Sequence, residues 1–217
     1  MGRWLITGCS TGIGREIARA ALEAGHSVVV TARRTETVAD FADAYGDRAT
    51  VVALDVTDKG QITSAVQAAE DAFGGIDVLV NNAGNGYLSA IEEGEDDKVR
   101  KLFDTNYFGV VDTIKAVLPQ MRDRQSGHIV NLSSLPGPVP TPPDPHYSST
   151  KFALEAVTEA LAQEVKSFGI KVTAIEPGAF RTDWAARSMW ESSTPIGDYD
   201  ENVGARKTMI KEFANHL

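Results

Sequence analysis

Tyr147 and Lys151 stand four residues apart at the start of a helical pattern that runs on to Phe168. In a helix, side chains at i and i+4 share one face, so the phenol and the ammonium lie side by side. An ammonium about 4 Å away, at an effective dielectric of about 20, stabilises a phenolate by ~4 kcal/mol of Coulomb energy. Each pKa unit needs ~1.4 kcal/mol, so the pair predicts a phenol whose pKa is lowered into the range useful for acid–base catalysis. The alternative, for this pair alone, is an ordinary amphipathic contact on a helix surface.

Two other places in the chain carry polar side chains in positions that suggest chemistry. Ser133 and Ser134 end a short apolar run, and the loop after them holds six of the nine prolines, from Pro136 to Pro145. Proline fixes φ, so this stiff loop would form a wall of a substrate pocket. Asn106 lies inside a long helical pattern, although asparagine is a poor helix former. Either its side chain or a locally opened carbonyl holds a water, or the residue is structural.

Short β-branched runs alternate with longer helical patterns along the chain. Strands that read as continuous apolar runs between helices indicate a parallel sheet covered on both faces. Right-handed crossovers then predict one α/β domain over residues 1–217, doubly wound and Rossmann-like, with strand order 3-2-1-4-5-6. The predicted strands are 3–7, 27–32, 49–54, 78–81, 128–132 and 171–176, and the predicted helices are 15–24, 35–45, 59–73, 96–121, 147–168 and 202–216.

A glycine-rich turn follows the first predicted strand and opens the first helix. It reads Thr7-Gly8-Cys9-Ser10-Thr11-Gly12-Ile13-Gly14. Gly8 permits the tight turn, Gly12 lets the backbone approach a pyrophosphate, and Gly14 lets the helix pack on the sheet. The helix N-terminus adds free amides for the phosphates. The turn therefore predicts a dinucleotide site that includes Ser10, Thr11 and Ile13, whereas the glycine spacing alone would also fit close strand–helix packing.

The end of the second strand bears on which dinucleotide binds. An NAD site would place an acidic residue there to bind the ribose 2′-hydroxyl, but the chain has Ala32 followed by Arg33 and Arg34. Arg15 is near enough in sequence to the turn to reach the same place. An anion is expected at this position, so NADP(H) is preferred over NAD(H). The alternative is that Arg33 and Arg34 form a solvated turn.

The ends of the third and fourth strands also carry polar residues at the edge where ligands bind. Asp55 and Val56 follow the third strand and would contact an adenine edge, or Asp55 caps the next helix with Thr57. The fourth strand ends in Asn81-Asn82-Ala83-Gly84, and we expect these residues to stitch the cofactor site together. The acidic stretch 92–97 reads as the solvated start of a helix.

Composition excludes several classes of protein. A formal charge of −9 argues against a general nucleic-acid or anionic-membrane binder. Cys9 is the single cysteine, and the four histidines show no ligand spacing, so neither a disulfide nor a metal site is predicted. With no signal peptide or membrane span in the sequence, a cytoplasmic location is the expectation.

Taken in order, these motifs resemble those of the short-chain dehydrogenase/reductase family. The matching residues run from 3 to about 184 and include the glycine turn, Asn82-Ala83-Gly84, Asn106, Ser134, Tyr147, Lys151 and Pro177-Gly178. The spacing of thirteen between Ser134 and Tyr147 matches the family's catalytic serine to Ser134, not to Ser133. The ordered set is far more specific than any one motif.

The resemblance implies an oxidoreductase that moves a hydride between a nicotinamide and an alcohol or carbonyl substrate. It implies that Tyr147 is the general acid–base, that Lys151 lowers its pKa and holds the nicotinamide ribose, and that Ser134 orients the substrate oxygen. Asn106 would hold a water in a proton relay, and Pro177, Gly178 and Thr182 would meet the carboxamide of the nicotinamide. The alternatives are the same reaction with NAD(H), or a catalytically silent nucleotide-binding regulatory protein.

The remaining expectations concern the substrate pocket, the end of the chain and assembly. Residues 185–200 are predicted to be a mobile substrate lid. Tyr87, Leu88, Trp184, Met189 and Trp190 suggest an apolar substrate, unless they are core residues. Nothing strand-like follows the predicted last helix, so the family's seventh strand is not expected in this chain. The family's helix pairing implies a homodimer or homotetramer.

Overall fold

A computed structural model of the chain describes residues 1–178 and 187–216. Strands and helices alternate along it, as the apolar runs predict. The strands are β1 Arg3–Ile6, β2 Ser27–Ala32, β3 Ala49–Ala53, β4 Val78–Asn81, β5 Gly86–Leu88, β6 Gly127–Leu132, β7 Ile170–Ile175 and β8 Met189–Glu191. The helices are α1 Gly12–Glu23, α2 Ala39–Tyr45, α3 Lys59–Phe73, α4 Asp96–Phe103, α5 Gly109–Asp123, α6 Pro145–Glu164 and α7 Ala205–His216.

The main sheet has six parallel strands in the order β3-β2-β1-β4-β6-β7. This is the predicted order 3-2-1-4-5-6, since the fifth and sixth long strands are β6 and β7 here. Side chains alternate between the two faces along each strand. Leu5 and Leu79 join one buried cluster with α3, α5 and α6, whereas Ile6 and Val80 join another with α1 and α2. Helices therefore cover both faces, as the continuous apolar runs require.

The long helix predicted over residues 96–121 is divided. Between α4 and α5 the chain makes a π-helical turn over Asp104–Phe108, which includes Asn106. The poor helix former thus lies where the regular hydrogen-bond ladder is interrupted, a common feature of functional sites. At the other end of the chain, α7 also follows a π-helical turn, over Asp200–Gly204. None of the described helices is both long and apolar enough to cross a bilayer.

A second, two-stranded sheet forms from β5 and β8, which pair in parallel between Gly86–Leu88 and Met189–Glu191. The sequence analysis did not predict it, because three-residue strands are too short to show a periodic pattern. It joins the predicted lid to the body of the domain. Residues 185 and 186 of that lid lie outside the described residues, and the mobility of the segment stays a prediction.

The acidic stretch 92–97 is only partly the solvated surface that its sequence suggests. Glu93 is buried and accepts hydrogen bonds from Ala90 N at 2.8 Å, Ile196 N at 3.0 Å and Lys207 Nζ at 2.7 Å. Glu95 accepts from Ser193 N at 2.9 Å. These carboxylates hold the segment after β8 and helix α7, contacts between residues about a hundred positions apart.

The glycine at position 14 offers a test of this packing. An added Cβ would lie 2.1 Å from Asn82 Nδ2 and 2.5 Å from the carbonyl oxygen of Gly8. We expect Gly14→Ala to lower the free energy of unfolding by about 2 kcal/mol, because overpacking outweighs the better helix propensity of alanine. Urea denaturation measures the change. The control Gly197→Ala, whose Cβ would meet nothing nearer than 3.9 Å, should change stability by less than about 0.5 kcal/mol. An unchanged midpoint for Gly14→Ala would contradict the tight packing.

Candidate active site

One cavity of about 760 Å³ lies where the six parallel strands end. Such crevices at the carboxyl edge of a doubly wound sheet are where ligands bind. The cavity brings together most of the residues singled out in the sequence. Those that line it are Gly8, Ser10, Thr11, Gly12, Ile13, Arg33, Asp55, Val56, Asn82, Ala83, Gly84, Ser134, Tyr147, Lys151, Pro177 and Gly178.

Three predicted site residues that the structure describes do not line this cavity. Gly14 packs behind the glycine turn, and Asn106 is buried behind Gly84. Arg34 is exposed, with its Nε 3.9 Å from Glu36. Thr182 lies outside the described residues, so its expected contact with a nicotinamide stays a prediction.

The glycine turn and the fourth strand are held together by backbone and amide hydrogen bonds. Asn82 Nδ2 donates to the carbonyls of Thr7 and Gly8, both at 2.9 Å, and Asn82 N donates to Thr7 Oγ1 at 2.9 Å. Gly8 has φ +73° and Gly12 has φ +62°, a left-handed backbone that glycine adopts without strain. This is the stitching that the doubled asparagine predicts.

The cavity surface fits a dinucleotide. A Cβ at Gly84 would lie 3.3 Å from Asn106 Oδ1 and 3.7 Å from Lys151 Nζ, so glycine keeps open the floor beside the ammonium. The turn at the start of α1 offers backbone amides for phosphate oxygens. Two ends of one ligand would thus meet the glycine turn and Lys151 within the same cavity.

The three arginines considered for a 2′-phosphate have different surroundings. Arg15 donates to the carbonyl of Thr37 at 3.1 Å, pairs with Asp40 and lies over the ring of Phe41 at 4.8 Å. It is therefore engaged away from the cavity. Arg33 lines the cavity and is exposed. Among these three arginines, Arg33 is the one whose side chain the fold brings to the cavity.

The two interpretations of Asp55 are separated by the structure. Asp58 caps α3, since its Oδ1 accepts from Gly60 N at 2.8 Å and Gln61 N at 3.1 Å. Asp55 Oδ1 accepts from Thr57 N at 3.0 Å and Thr57 Oγ1 at 2.8 Å, which shapes the turn before that helix. Asp55 and Val56 both line the cavity, and the expected contact with an adenine edge stays a prediction.

Tyr147 and Lys151 lie on one face of α6, as their spacing predicts, and both are buried. The Lys151 ammonium is 5.8 Å from the centroid of the Tyr147 ring. It donates a 2.7 Å hydrogen bond to the carbonyl of Leu132, at the end of β6. The side chain therefore bridges the helix and the sheet at the cavity.

The expected lowering of the phenol's pKa is wrong for this geometry. Burial raises the pKa of Tyr147 to about 12, against the opposing effect of a hydrogen bond from Ser134. Burial also lowers the pKa of Lys151 to about 8, although Glu155 opposes the shift. The Coulomb argument took the ammonium to be 4 Å from the phenol in a solvated setting, whereas the fold directs it to a carbonyl and removes both groups from water.

Asn106 uses its amide for structure. Its Oδ1 accepts from Asn85 N at 2.9 Å, and its Nδ2 donates to the carbonyl of Asn85 at 2.8 Å and to Thr150 Oγ1 at 3.1 Å. Thr150 in turn donates to the carbonyl of Tyr147 at 2.7 Å. The side chain thus connects the π-helical turn to α6, and a water held by Asn106 stays a prediction.

Several lining residues escaped the sequence analysis or were named there only as candidates. The apolar wall includes Tyr87, Leu88, Met189 and Trp190, as predicted, and also Ile210 of α7. Trp184 lies outside the described residues. Nothing in the sequence of α7 indicates that this helix contributes to the site, because Ile210 reaches the cavity only through the tertiary fold.

Asp144 also lines the cavity and was not singled out. It stands just before α6, where an aspartate normally caps the helix, and this ordinary role conceals any other in the sequence. Its side chain is buried and makes no such cap; Oδ1 accepts from Ser148 Oγ at 3.3 Å instead. Burial raises the pKa of this carboxyl to about 6.

Comparison with known proteins agrees with the family resemblance of the motifs. A family model described as short chain dehydrogenase matches residues 3–192. Oxidoreductase BOA17 of Botryotinia fuckeliana (strain B05.10) is 45% identical to the chain over 203 residues, which are 93% of this chain and 74% of that protein.

Two solved structures share the fold and a substantial part of the sequence. A short-chain dehydrogenase from Streptomyces avermitilis has a TM-score of 0.90 and 44% identity, over 96% of this chain and 78% of its own. The structure of ElxO with NADP bound has a TM-score of 0.80 and 33% identity, over 84% of this chain and 76% of its own. The matches agree with the resemblance that the ordered motifs indicate.

The raised pKa of Asp144 predicts a pH-dependent cost in stability. Below about pH 4 the carboxyl is protonated in both the folded and the unfolded chain, so there is no cost. As the pH rises from about 4 to about 6, the carboxyl ionises in the unfolded chain but stays largely protonated in the folded protein, so the folded protein loses stability, and above that range the full cost remains. We expect Asp144→Asn to raise the melting temperature at pH 8, through a gain on the order of 2 kcal/mol, and to have little effect near pH 4. Exposed Asp123→Asn is the control; a lower melting temperature for Asp144→Asn at pH 8 would show that the carboxylate stabilises the fold.

Proposed function

Because the chain belongs to the short chain dehydrogenase family, we propose that it transfers a hydride between NADP(H) and an alcohol or carbonyl substrate, with Tyr147 as general acid–base. The observation that carries the proposal is that Ser134, Tyr147 and Lys151 line one cavity together with the glycine turn. A side chain able to give a proton, a hydroxyl donor and a cation thus lie beside the place for a nicotinamide.

Different residues of the cavity have different roles in the proposed reaction. The glycine turn would hold the phosphates, and Asn82–Gly84, Pro177 and Gly178 would hold the nicotinamide end. When bound, NADPH would supply a hydride to the carbonyl carbon. Tyr147 would give its proton to the carbonyl oxygen, which becomes a hydroxyl. Ser134 donates to the same oxygen and stabilises the negative charge that develops on it.

The pKa values of the site fit the role of Tyr147 as proton donor in carbonyl reduction. A phenol with a pKa of about 12 is fully protonated at neutral pH, so it is ready to act as an acid. Lys151, with a pKa of about 8, is mostly cationic at the same pH, and its proposed role is to hold the nicotinamide ribose. The hydrogen bond between Ser134 and Tyr147 lowers the pKa of the phenol and so stabilises the phenolate that remains after proton transfer.

The coenzyme is proposed to be NADP(H), with NAD(H) as the alternative for the same reaction. Arg33 lines the cavity, and Ala32 stands where an acidic residue would repel a 2′-phosphate. The structural neighbour ElxO was solved with NADP bound. Assembly into a homodimer or homotetramer stays a prediction, with which the exposed Phe108 and Phe152 at the helices expected to pair are consistent.

Replacing the phenol tests the chemical role. We expect Tyr147→Phe to lower kcat for carbonyl reduction by about 10²- to 10⁴-fold, because the proton donor is removed while the ring remains in place. The affinity for NADPH should change less than about threefold, as the glycine turn is untouched. Coenzyme oxidation followed by absorbance and coenzyme binding followed by calorimetry give the two values. Tyr45→Phe, outside the cavity, is the control. Equal activity of Tyr147→Phe and the unaltered protein would remove Tyr147 from the mechanism.

Replacing the guanidinium tests the coenzyme. Arg33→Ala should weaken NADPH binding about tenfold and leave NADH binding nearly unchanged, since only NADPH carries the phosphate that Arg33 would meet. Thermal stabilisation by each coenzyme measures both affinities. Arg34→Ala is the matched control, and its effect should be smaller because Arg34 lies outside the cavity. Tighter binding of NADH than NADPH by the unaltered protein would replace the proposal with its alternative.

A further inference from the structure

Asp144 is an ionisable side chain that lines the same cavity as Tyr147. It is 9% exposed, and among the described residues no Lys, Arg or His forms an ion pair with it. The same cavity is lined by the apolar side chains of Tyr87, Met189 and Trp190. A carboxylate in such a place costs free energy unless something donates hydrogen bonds to it.

The usual structural explanation does not account for this carboxylate. At the N-cap of a helix, an aspartate side chain accepts from the backbone amides of the first turn. Asp144 occupies that position on α6, but its side chain makes no such bond. The first helical residue, Pro145, has no N–H to offer, and among the described residues the donors to the carboxylate are the Ser148 hydroxyl and the backbone amide of Asp144 itself. The side chain therefore lacks the capping hydrogen bonds that would offset the free-energy cost of its burial.

The hydrogen-bonding capacity left at Asp144 lies close to the reacting group. A carboxylate can accept about four hydrogen bonds, and the described residues supply two, from the Ser148 hydroxyl and from the backbone amide of Asp144 itself. Asp144 precedes Tyr147 by three residues, and its charge acts on the phenol, whose pKa it helps to raise. A substrate whose carbonyl oxygen reaches Tyr147 would bring its neighbouring substituent to Asp144.

We propose that Asp144 determines substrate specificity by accepting a hydrogen bond from a hydroxyl or ammonium group next to the reacting carbonyl. This inference rests on the proposed carbonyl reduction and narrows its substrate class to ketones or aldehydes that carry such a donor, with an apolar remainder against Tyr87, Met189 and Trp190. A site with a buried acceptor discriminates strongly against an analogue without the donor, because the acceptor is then left unpaired.

The test uses ketones that differ only in the donor. The purified full chain, with NADPH, is assayed on three ketones: α-hydroxyacetophenone, α-aminoacetophenone and propiophenone. In propiophenone a methyl group replaces the donor on the carbon next to the carbonyl. We expect kcat/KM to be about 30-fold higher or more for at least one donor-bearing ketone than for propiophenone. In Asp144→Asn this ratio should fall at least about tenfold for the amine, whose attraction depends on charge, and less for the alcohol. In Asp144→Leu both ratios should approach one.

The outcomes separate the inference from the proposed function. Reduction of all three ketones at similar kcat/KM by the unaltered protein, or ratios that stay the same in Asp144→Asn, would overturn the role of Asp144 and leave carbonyl reduction standing. A fall of the ratio in the control Asp123→Asn equal to that in Asp144→Asn would also overturn it, because Asp123 is exposed at the end of α5. Absence of turnover with every ketone, under NADPH and NADH alike, would count against the proposed function itself.

Discussion

The hydrogen bond from Lys151 to the carbonyl of Leu132 fixes the relation between α6 and the sheet. Parallel strands leave backbone carbonyls without partners where they end, and a buried ammonium satisfies one of them while its helix packs alongside. Ser134 follows Leu132 by two residues, and Tyr147 lies one helical turn before Lys151. The contact therefore sets the distance between the hydroxyl, the phenol and the cation, and the chemistry depends on it.

Side-chain amides serve the same purpose elsewhere around the cavity. Asn82 binds the backbone of the glycine turn, and Asn106 binds both backbone groups of Asn85. Asn131 Nδ2 donates to Thr158 Oγ1 beneath the site. Amides carry both donors and acceptors without a charge, so they can close loops at the sheet edge without the desolvation cost of an ion. These hydrogen bonds hold together the loops that surround the cavity.

Charges in the domain fall into two groups with opposite effects. Glu93 is buried with the Lys207 ammonium and two backbone donors, which offset its loss of water. Tyr147, Lys151 and Asp144 are buried beside the cavity, and burial displaces the pKa of each. Displaced pKa values gather at functional sites, because groups left incompletely paired there can act on a substrate. The cavity is thus a place where the fold gives up stability.

Spacing along the chain was enough to predict the strand order, the glycine turn and the shared face of Tyr147 and Lys151, because each follows from local periodicity or from crossover handedness. It could not predict the short β5–β8 sheet, the burial of Glu93 or the approach of Ile210, which depend on segments about a hundred residues apart. The pKa shift of Tyr147 was predicted in the wrong direction because the shift depends on burial, which is also a property of the tertiary structure. Spacing brings two side chains to one face, whereas packing decides how much water each loses and where the ammonium points.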